Sequence, residues 1–203
     1  MAYDTPSTEL EAVNAMLHSI GESPVVTIDD DTDPLPVDVD IAVRVLRSVN
    51  REVQVLGWTF NTETEYPLSL DSDNYIPVPS NALHVDPDGD FADRDGILRG
   101  TRLYDRENHT YVWDTNITAT IKFLLSFEEL PEAARNYIQV RAARRFQAGV
   151  VGSQTLQSFT ENDETQALAL LKHEECDAGD YNVNAQSDTF LAFIYRGGGN
   201  GPI

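Results

Sequence analysis

Apolar residues recur at helical spacing in two stretches near the start of the chain, and each stretch predicts a helix with one apolar stripe. The first predicted helix has Thr5 as its N-cap and Pro6 in its first position, and it stops at Gly21. The second begins at Asp38, whose carboxylate can cap it, and ends at Gly57. Its predicted buried stripe consists of Ala42, Val45, Leu46, Val49, Val53 and Leu56. Because both helices must bury a face, we expect them to pack in one bundle.

Between residues 58 and 126 the helical period gives way to short runs rich in β-branched and aromatic side chains. These runs cover residues 81–85, 98–104, 110–113 and 117–125, and clusters of turn residues separate them. We interpret residues 103–105 and 111–113 as the two strands of a hairpin. The whole stretch therefore predicts an antiparallel β unit.

Helical periodicity returns at Pro131, which is favourable at the first position of a helix. This third predicted helix has a face rich in alanine, which fits a close helix neighbour, and Gly149 and Gly152 end it. A fourth is predicted from about Asn162 to about Asp177.

The order of these elements predicts an α+β fold. It is an antiparallel bundle of about four helices, with an antiparallel β unit inserted between the second and third helices and an extended C-terminal tail. The predicted domains are a discontinuous bundle (residues 1–57 and 127–179), the inserted β region (58–126) and a C-terminal arm (180–203).

Composition and charge exclude several classes of protein. The chain has 203 residues, 41% of them hydrophobic, which is enough for a folded core. No apolar run approaches the roughly 20 residues of a membrane-spanning helix, and the first residues do not form a secretory signal. The net charge of −20 argues against a protein that grips DNA. Two interpretations of the acidity stay open: a protein that lies beside DNA without sticking to it, or simple solubility, including adaptation to a saline habitat.

Two groups of residues are candidates for contacts with other chains. Arg135, Arg141, Arg144 and Arg145 make the third predicted helix the basic stretch of the chain. Their guanidinium forks suit carboxylates of the first two helices, either of a neighbouring subunit or of the same chain. The second group belongs to an apolar hexamer followed by glycines: Phe190, Leu191, Phe193, Ile194 and Tyr195. The hexamer is either an arm that docks on another chain or a last strand of the β unit.

No catalytic residue, metal site or cofactor is predicted. The aspartate-rich stretch 86–96 only superficially resembles a calcium loop, because its glycine is misplaced and Ile97 stands where the loop needs glutamate. Cys176 lies among acidic residues, which disfavour a thiolate. A pair of carboxylates could hydrolyse a glycosidic bond, and nothing singles out one pair among 34 acidic residues.

Several short strings, taken in order, resemble the tail tubular protein A family, the head-to-tail adaptors of short-tailed bacteriophages. They are residues 11–25, 49–54, 57–61, 103–106, 130–132, 142–147 and 180–182. The resemblance covers essentially residues 9–184, whereas residues 71–95 and the tail after 184 match poorly.

This resemblance implies a non-enzymatic virion protein of the phage tail, made in the cytoplasm of the host bacterium. It implies a homo-oligomeric ring, dodecameric by analogy, between the portal protein and the tubular nozzle protein (tail tubular protein B), with tail fibres attached nearby. Genomic DNA would pass through the ring without sequence-specific binding, and no membrane would be involved. The alternative function is a tail-associated, carbohydrate-degrading enzyme that uses a carboxylate pair.

Overall fold

The computed structural model describes residues 6–29, 34–150 and 154–180. Within these ranges the chain forms four α-helices and five β-strands, and all five strands lie between the second and third helices in the sequence. The mixed helix and strand composition with small antiparallel sheets is thereby confirmed. The tail from residue 181 onward lies outside the described residues. The proposed division into domains stays a prediction.

Helix α1 (Glu9–Ser19) begins later than the sequence suggested. Its N-cap is Thr8: the Thr8 hydroxyl accepts a hydrogen bond from the Glu11 backbone N–H at 3.2 Å, and the Glu11 carboxylate accepts one from the Thr8 N–H at 2.9 Å. This capping box satisfies two free backbone donors at once. The prediction of a start at Thr5 and Pro6 was therefore wrong, whereas Gly21 (φ 85°) does follow the last turn.

Helix α2 (Val37–Val55) has Pro36 as its N-cap, so Asp38 lies inside the first turn and does not cap the helix. There its negative charge still favours the positive end of the helix dipole. The predicted apolar stripe is buried at Ala42, Leu46, Val49 and Val53, and Val45 is partly buried against the same core. Leu56 is 61% exposed, so its assignment to the buried stripe was wrong. It is the C-cap, where the chain leaves the helix for Gly57.

Helices α3 (Glu132–Val150) and α4 (Gln154–Asp180) complete the helical part. Pro131 directly precedes α3 and does not occupy its first position, where it was predicted. Helix α4 begins at Gln154, well before Asn162. Residues 154–161 are mostly polar, so no apolar period marks them as helical. Helix α3 packs against α1, α2 and α4. Its alanines on the buried face, at positions 133, 134 and 142, permit this close approach.

The β region contains a three-stranded antiparallel sheet with the order β1-β5-β2, formed by β1 (Thr62–Leu68), β2 (Ala82–Pro87) and β5 (Ile117–Phe123). Strand β5 is central, and its residues alternate between buried and partly buried positions. Sequence analysis missed β1, an edge strand whose first residues are mostly exposed. Its pairing with β5 is irregular between Glu63 and Tyr66, which is a bulge or similar break in register.

Strands β3 (Gly96–Arg99) and β4 (Arg102–Asp105) form a separate hairpin beside β2. The predicted run 98–104 is thus two strands, because Gly100 at φ 64° allows the chain to reverse. The predicted pairing of 103–105 with 111–113 was wrong. β4 pairs with β3, and residues 110–113 make only isolated bridges to Asp105 and Tyr75.

A buried polar contact joins the helical core to the sheet. The side-chain amide of Gln54 donates to the Leu125 carbonyl at 3.0 Å and accepts from the Leu125 N–H at 2.8 Å. Asn61 donates to the carbonyls of Gln54 (2.9 Å) and Phe123 (2.8 Å). Both amide side chains are almost completely inaccessible to water. Since buried amides are costly without partners, these bonds fix the end of α2 against the end of β5.

Candidate assembly surfaces

Arg145 and Arg141 of α3 pair with Glu52 of α2. Arg145 binds Glu52 through both terminal nitrogens, with Nη1–Oε1 at 2.5 Å and Nη2–Oε2 at 2.7 Å. Arg141 lies 3.5 Å from the same carboxylate. The hydrogen bond from Arg145 holds the pKa of Glu52 below its ordinary value, and Glu52 raises the pKa of Arg145 above its own. Both groups are therefore charged at neutral pH, in the bidentate geometry that fixes orientation best.

Arg144 faces α4, and Arg141 lies between α2 and α4. Arg144 places Nε 2.5 Å from Oε2 of Glu164 and Nη1 3.0 Å from Oε1 of Glu161. Arg141 reaches Glu164 at 3.6 Å. Together the three arginines and three glutamates form what we call the arginine–glutamate network, which links α2, α3 and α4 within one chain.

The network gives each of the three arginines a carboxylate partner in its own chain, which is the intrachain alternative of the sequence analysis. Their side chains remain 29–36% exposed. A contact of Arg141, Arg144 or Arg145 with a neighbouring subunit stays a prediction.

Arg135 differs from the other three arginines because it is 9% exposed. Its guanidinium donates to main-chain carbonyls, at 2.7 Å to Leu130 and 2.7 Å to Ser7, and it also donates to the carbonyl of Glu128. These three carbonyls belong to the segments that precede α3 and α1. Arg135 therefore fastens the start of α1 to the start of α3. Its role at a subunit interface stays a prediction.

The second predicted group lies outside the described part of the chain. Its members are Phe190, Leu191, Phe193, Ile194 and Tyr195. Whether they contact another chain stays a prediction.

One side of α2 is exposed and carries large apolar residues. Val37 is 73% exposed and Val55 52% exposed, at opposite ends of the helix. The helical period places both on one side together with Ile41, Arg44, Ser48 and Arg51; we call this side the α2 outer stripe. An open groove of about 480 Å³ lies beside its C-terminal half, lined by Ser48, Arg51, Glu52, Val53, Val55, Leu56 and Arg141. Exposed apolar residues next to arginine are typical of protein interfaces.

Sequence analysis also missed two arginines at the tip of the β3–β4 hairpin. Arg99 and Arg102 are paired across the two strands, directly beside the turn at Gly100. The Arg99 guanidinium lies 3.7 Å from the ring centroid of Tyr104, and that of Arg102 lies 4.5 Å from the ring of Tyr75. The Arg-Gly-Thr-Arg string could have revealed this pair, because a two-residue turn brings its flanking residues face to face.

Asp88 makes structural contacts, and the described residues form no cluster suited to a metal ion. Asp88, in the stretch compared with a calcium loop, accepts hydrogen bonds from the Glu65 N–H (2.9 Å) and the Thr120 hydroxyl (2.8 Å). In residues 6–29, 34–150 and 154–180, no group of three or more His, Cys, Asp or Glu side chains is placed to hold a metal ion. Cys176 is a free, exposed thiol.

Among the described residues, the carboxyl groups with a shifted pKa are all shifted downward. Hydrogen bonds from Arg145 lower the pKa of Glu52, and hydrogen bonds from Ser126 lower the pKa of Glu129. Burial alone would raise the pKa of Asp105, but hydrogen bonds from Asn108 and the Glu107 backbone, together with the charge of Arg94, leave that pKa lowered. A glycosidase needs one carboxylic acid with a raised pKa as its proton donor. These three groups are unsuited to that role.

Among the helices that the structure describes, none is long and apolar enough to cross a membrane.

Comparison with known proteins identifies the family. The family model described as tail tubular protein matches residues 10–181 of this chain. The curated tail tubular protein A of Klebsiella phage KP34 is 31% identical over 133 residues, which cover 64% of this chain and 66% of that relative, just under two thirds of its length. The resemblance seen in the short strings is thereby confirmed. This chain belongs to the tail tubular protein family and is a structural protein of the bacteriophage tail.

Proposed function

We propose that this protein forms the adaptor ring that connects the portal to the tail nozzle of a short-tailed phage, and that the ring is part of the DNA ejection channel. The observation that carries the proposal is the family match, which extends over residues 10–181 and therefore includes both the helical core and the β region. A match of that extent is consistent with a structural role, in which both the helices and the strands determine the shape of the subunit.

The proposed partners are other copies of the chain, the portal protein, the nozzle protein and nearby tail fibres. Rings of identical subunits need two different surfaces on each subunit, one for each neighbour. The α2 outer stripe supports this proposal, because it exposes Val37 and Val55 on a helix whose other side is buried in the core. We propose a dodecamer, by analogy with the family.

The protein is proposed to act without catalysis. Glu52 has a lowered pKa and accepts a hydrogen bond from Arg145. Both observations support a structural role for this acidic residue. Purified protein is expected to leave capsular polysaccharide and peptidoglycan intact. Turnover that disappears on substitution of one aspartate or glutamate would contradict this part of the proposal.

We propose that the net negative charge keeps DNA from adhering to the channel. Twelve chains at −20 each carry a net −240 charges, and like charges repel the phosphates over distances of a Debye length, about 8 Å at physiological salt. A ring whose exposed carboxylates all face outward would contradict this proposal. A density map of the ring would reveal their direction.

The arginine–glutamate network allows a direct test of its proposed interface role. Reversing the charges of Arg144 and Arg145 would weaken ring formation, measured by light scattering, if these residues also contact a neighbour. Unchanged assembly would assign them to the bundle alone. Glu161→Gln is the matched control, because it weakens the same network while leaving the arginines in place.

The apolar hexamer is proposed to dock on another chain as an arm. Replacing Phe190 and Phe193 by serine would then weaken association between subunits or with a virion partner, and would leave the thermal melting temperature of the isolated chain unchanged. A lowered melting temperature with normal assembly would favour the last-strand alternative.

The adaptor proposal itself is tested in phage particles. A phage with a nonsense codon in this gene is expected to produce DNA-filled capsids without tail nozzles, and purified protein added to those capsids should appear as a collar at the portal vertex in electron micrographs. A double variant Val55→Glu, Leu56→Glu, which changes only exposed positions, is expected to fold and to bind the capsids poorly. Tailed particles that form without this protein would overturn the proposal.

A further inference from the structure

The tip of the β3–β4 hairpin carries a connected group of arginine and tyrosine side chains. Arg99 stacks on Tyr104, and the rings of Tyr104 and Tyr111 form a T-shaped pair with centroids 4.8 Å apart. Arg102 stacks on Tyr75. We call these five residues the hairpin patch. Arginine and tyrosine are the residue types that contribute most to binding at protein interfaces, and stacking holds both guanidinium groups in place before any partner arrives.

The hairpin patch is electrostatically unusual in this chain. Within the described residues, Arg99 and Arg102 have no carboxylate within ion-pair distance, whereas most other arginines do. They also lie directly opposite each other in the hairpin, and like charges in that position destabilise strand pairing. A negatively charged partner would relieve this repulsion. A chain of net charge −20 offers such a partner in every other copy of itself.

The opposite edge of the β region has the complementary charge. Strand β1 is separated from β2 by β5, whereas the hairpin lies on the β2 side. Glu63 and Glu65 are exposed on β1 and, in the part of the chain that is described, have no arginine or lysine partner. The irregular register at Glu63–Tyr66 discourages a further strand from pairing with this edge. Contacts there would therefore run through side chains.

We propose that the hairpin patch of one subunit binds Glu63 and Glu65 on strand β1 of a second copy of this chain. Because the two surfaces differ and lie on opposite sides of the β region, the contact is head-to-tail and can be repeated around a closed ring. The inference rests on the ring of the proposed function and names one of its subunit contacts. Nucleic acid is a poorer partner, because two guanidinium groups release few counterions and the rest of the chain repels phosphate.

A charge-swap series on the full chain tests this contact. The variants are Arg99→Glu with Arg102→Glu, Glu63→Arg with Glu65→Arg, and the combination of all four, which restores the net charge of the wild type. Self-association is measured by sedimentation velocity and native mass spectrometry over a range of protein concentrations, and thermal melting checks folding. Each double variant is expected to associate about tenfold more weakly or worse, and the fourfold variant is expected to recover. Association of the wild type should also weaken with added salt.

Four outcomes would overturn the inference. Equal association of the wild type and both double variants would show that the ring uses other surfaces, and would leave the adaptor proposal intact. A wild type that stays monomeric at every concentration would refute this contact, while binding to tailless capsids tests the adaptor role separately. Failure of the fourfold variant to recover, although it melts like the wild type, would refute the pairing. Loss of binding to a short DNA duplex in the Arg99, Arg102 variant, without any change in self-association, would assign the patch to phosphate.

Discussion

Replacing Arg135 by methionine should destabilise the isolated chain more than any other arginine substitution in α3. The guanidinium is almost buried and donates to three main-chain carbonyls, those of Leu130, Ser7 and Glu128. Methionine keeps much of the volume and removes every donor. The three carbonyl oxygens would then lose their charged partner, the one of Leu130 in a buried contact and the other two in part-buried contacts.

The expected loss of stability follows from these contacts. A hydrogen bond to a charged group contributes about 1.5–3 kcal/mol, and such contributions are not additive. We therefore expect Arg135→Met to lower the free energy of unfolding by ~4 kcal/mol, a large share of the typical total of about 5–15 kcal/mol. Arg135→Lys should cost about half as much as Arg135→Met. The ammonium group keeps a charged donor, but it cannot reach all the carbonyls that the guanidinium reaches through three nitrogens.

Urea unfolding followed by circular dichroism measures both effects. Arg44→Met is the matched control. Arg44 also lies on a helix, but its side chain is 78% exposed, and among the described residues its ion-pair partner is Asp40 alone. That variant should lose at most about 0.5 kcal/mol. An Arg135→Met protein within about 1 kcal/mol of the wild type would refute the view that Arg135 is an internal fastening. A stable variant that no longer assembles would instead support its predicted place at an interface.

Three smaller effects follow from other described contacts and are measured in the same way. Thr8→Ala removes the cap of α1 and should cost about 1 kcal/mol. Gly57→Ala should cost about 1–2 kcal/mol, because Gly57 has φ 79° and an added Cβ would meet the Lys122 side chain at 2.5 Å. Glu52→Gln should cost at most about 1 kcal/mol at neutral pH, because the pair is half-exposed. The lowered pKa of Glu52 means that this contribution is present above the ordinary glutamate pKa and disappears as the pH falls through the folded-state pKa, so the wild type and the variant should converge in acid.

The helices could be predicted where apolar residues repeat at helical spacing, and less well where they do not. The stripe from Ala42 to Val53 is buried as its period indicated. The start of α1 is ambiguous in the sequence, because Thr5-Pro6 and the Thr8–Glu11 capping box are both signals for the start of a helix. The helix uses the capping box. The start of α4 is polar and carries no apolar period.

The strands were harder to predict because their partners are distant in the chain. Strand β1 reads Thr-Glu-Thr-Glu-Tyr-Pro-Leu and has little apolar alternation of its own. It becomes a strand by pairing with the distant β5, as in the pair Glu63–Ile121, whose members are 58 positions apart in the chain. The candidate surfaces were hard to predict for the same reason, because they combine residues that are distant in the chain. The position of Arg145 in α3 was evident, whereas its partner Glu52 lies 93 residues away and only the fold brings them together.

Ion pairing within the chain bears directly on the proposed passage of DNA. Phosphate binds guanidinium groups that are free to meet it, and each contact that forms strengthens adhesion. Within the described residues, seven arginines have a carboxylate partner in the same chain: Arg44, Arg47, Arg94, Arg106, Arg141, Arg144 and Arg145. Pairing therefore has two effects. The pairs of Arg47, Arg141, Arg144 and Arg145 link neighbouring helices, and all seven pairs make positive charge less available to phosphate. If the hairpin patch is covered by a neighbouring subunit, two further arginines are withdrawn when the ring closes. Closure of the ring would then leave an even more uniformly acidic surface, so DNA should adhere less to the assembled ring than to the free subunit.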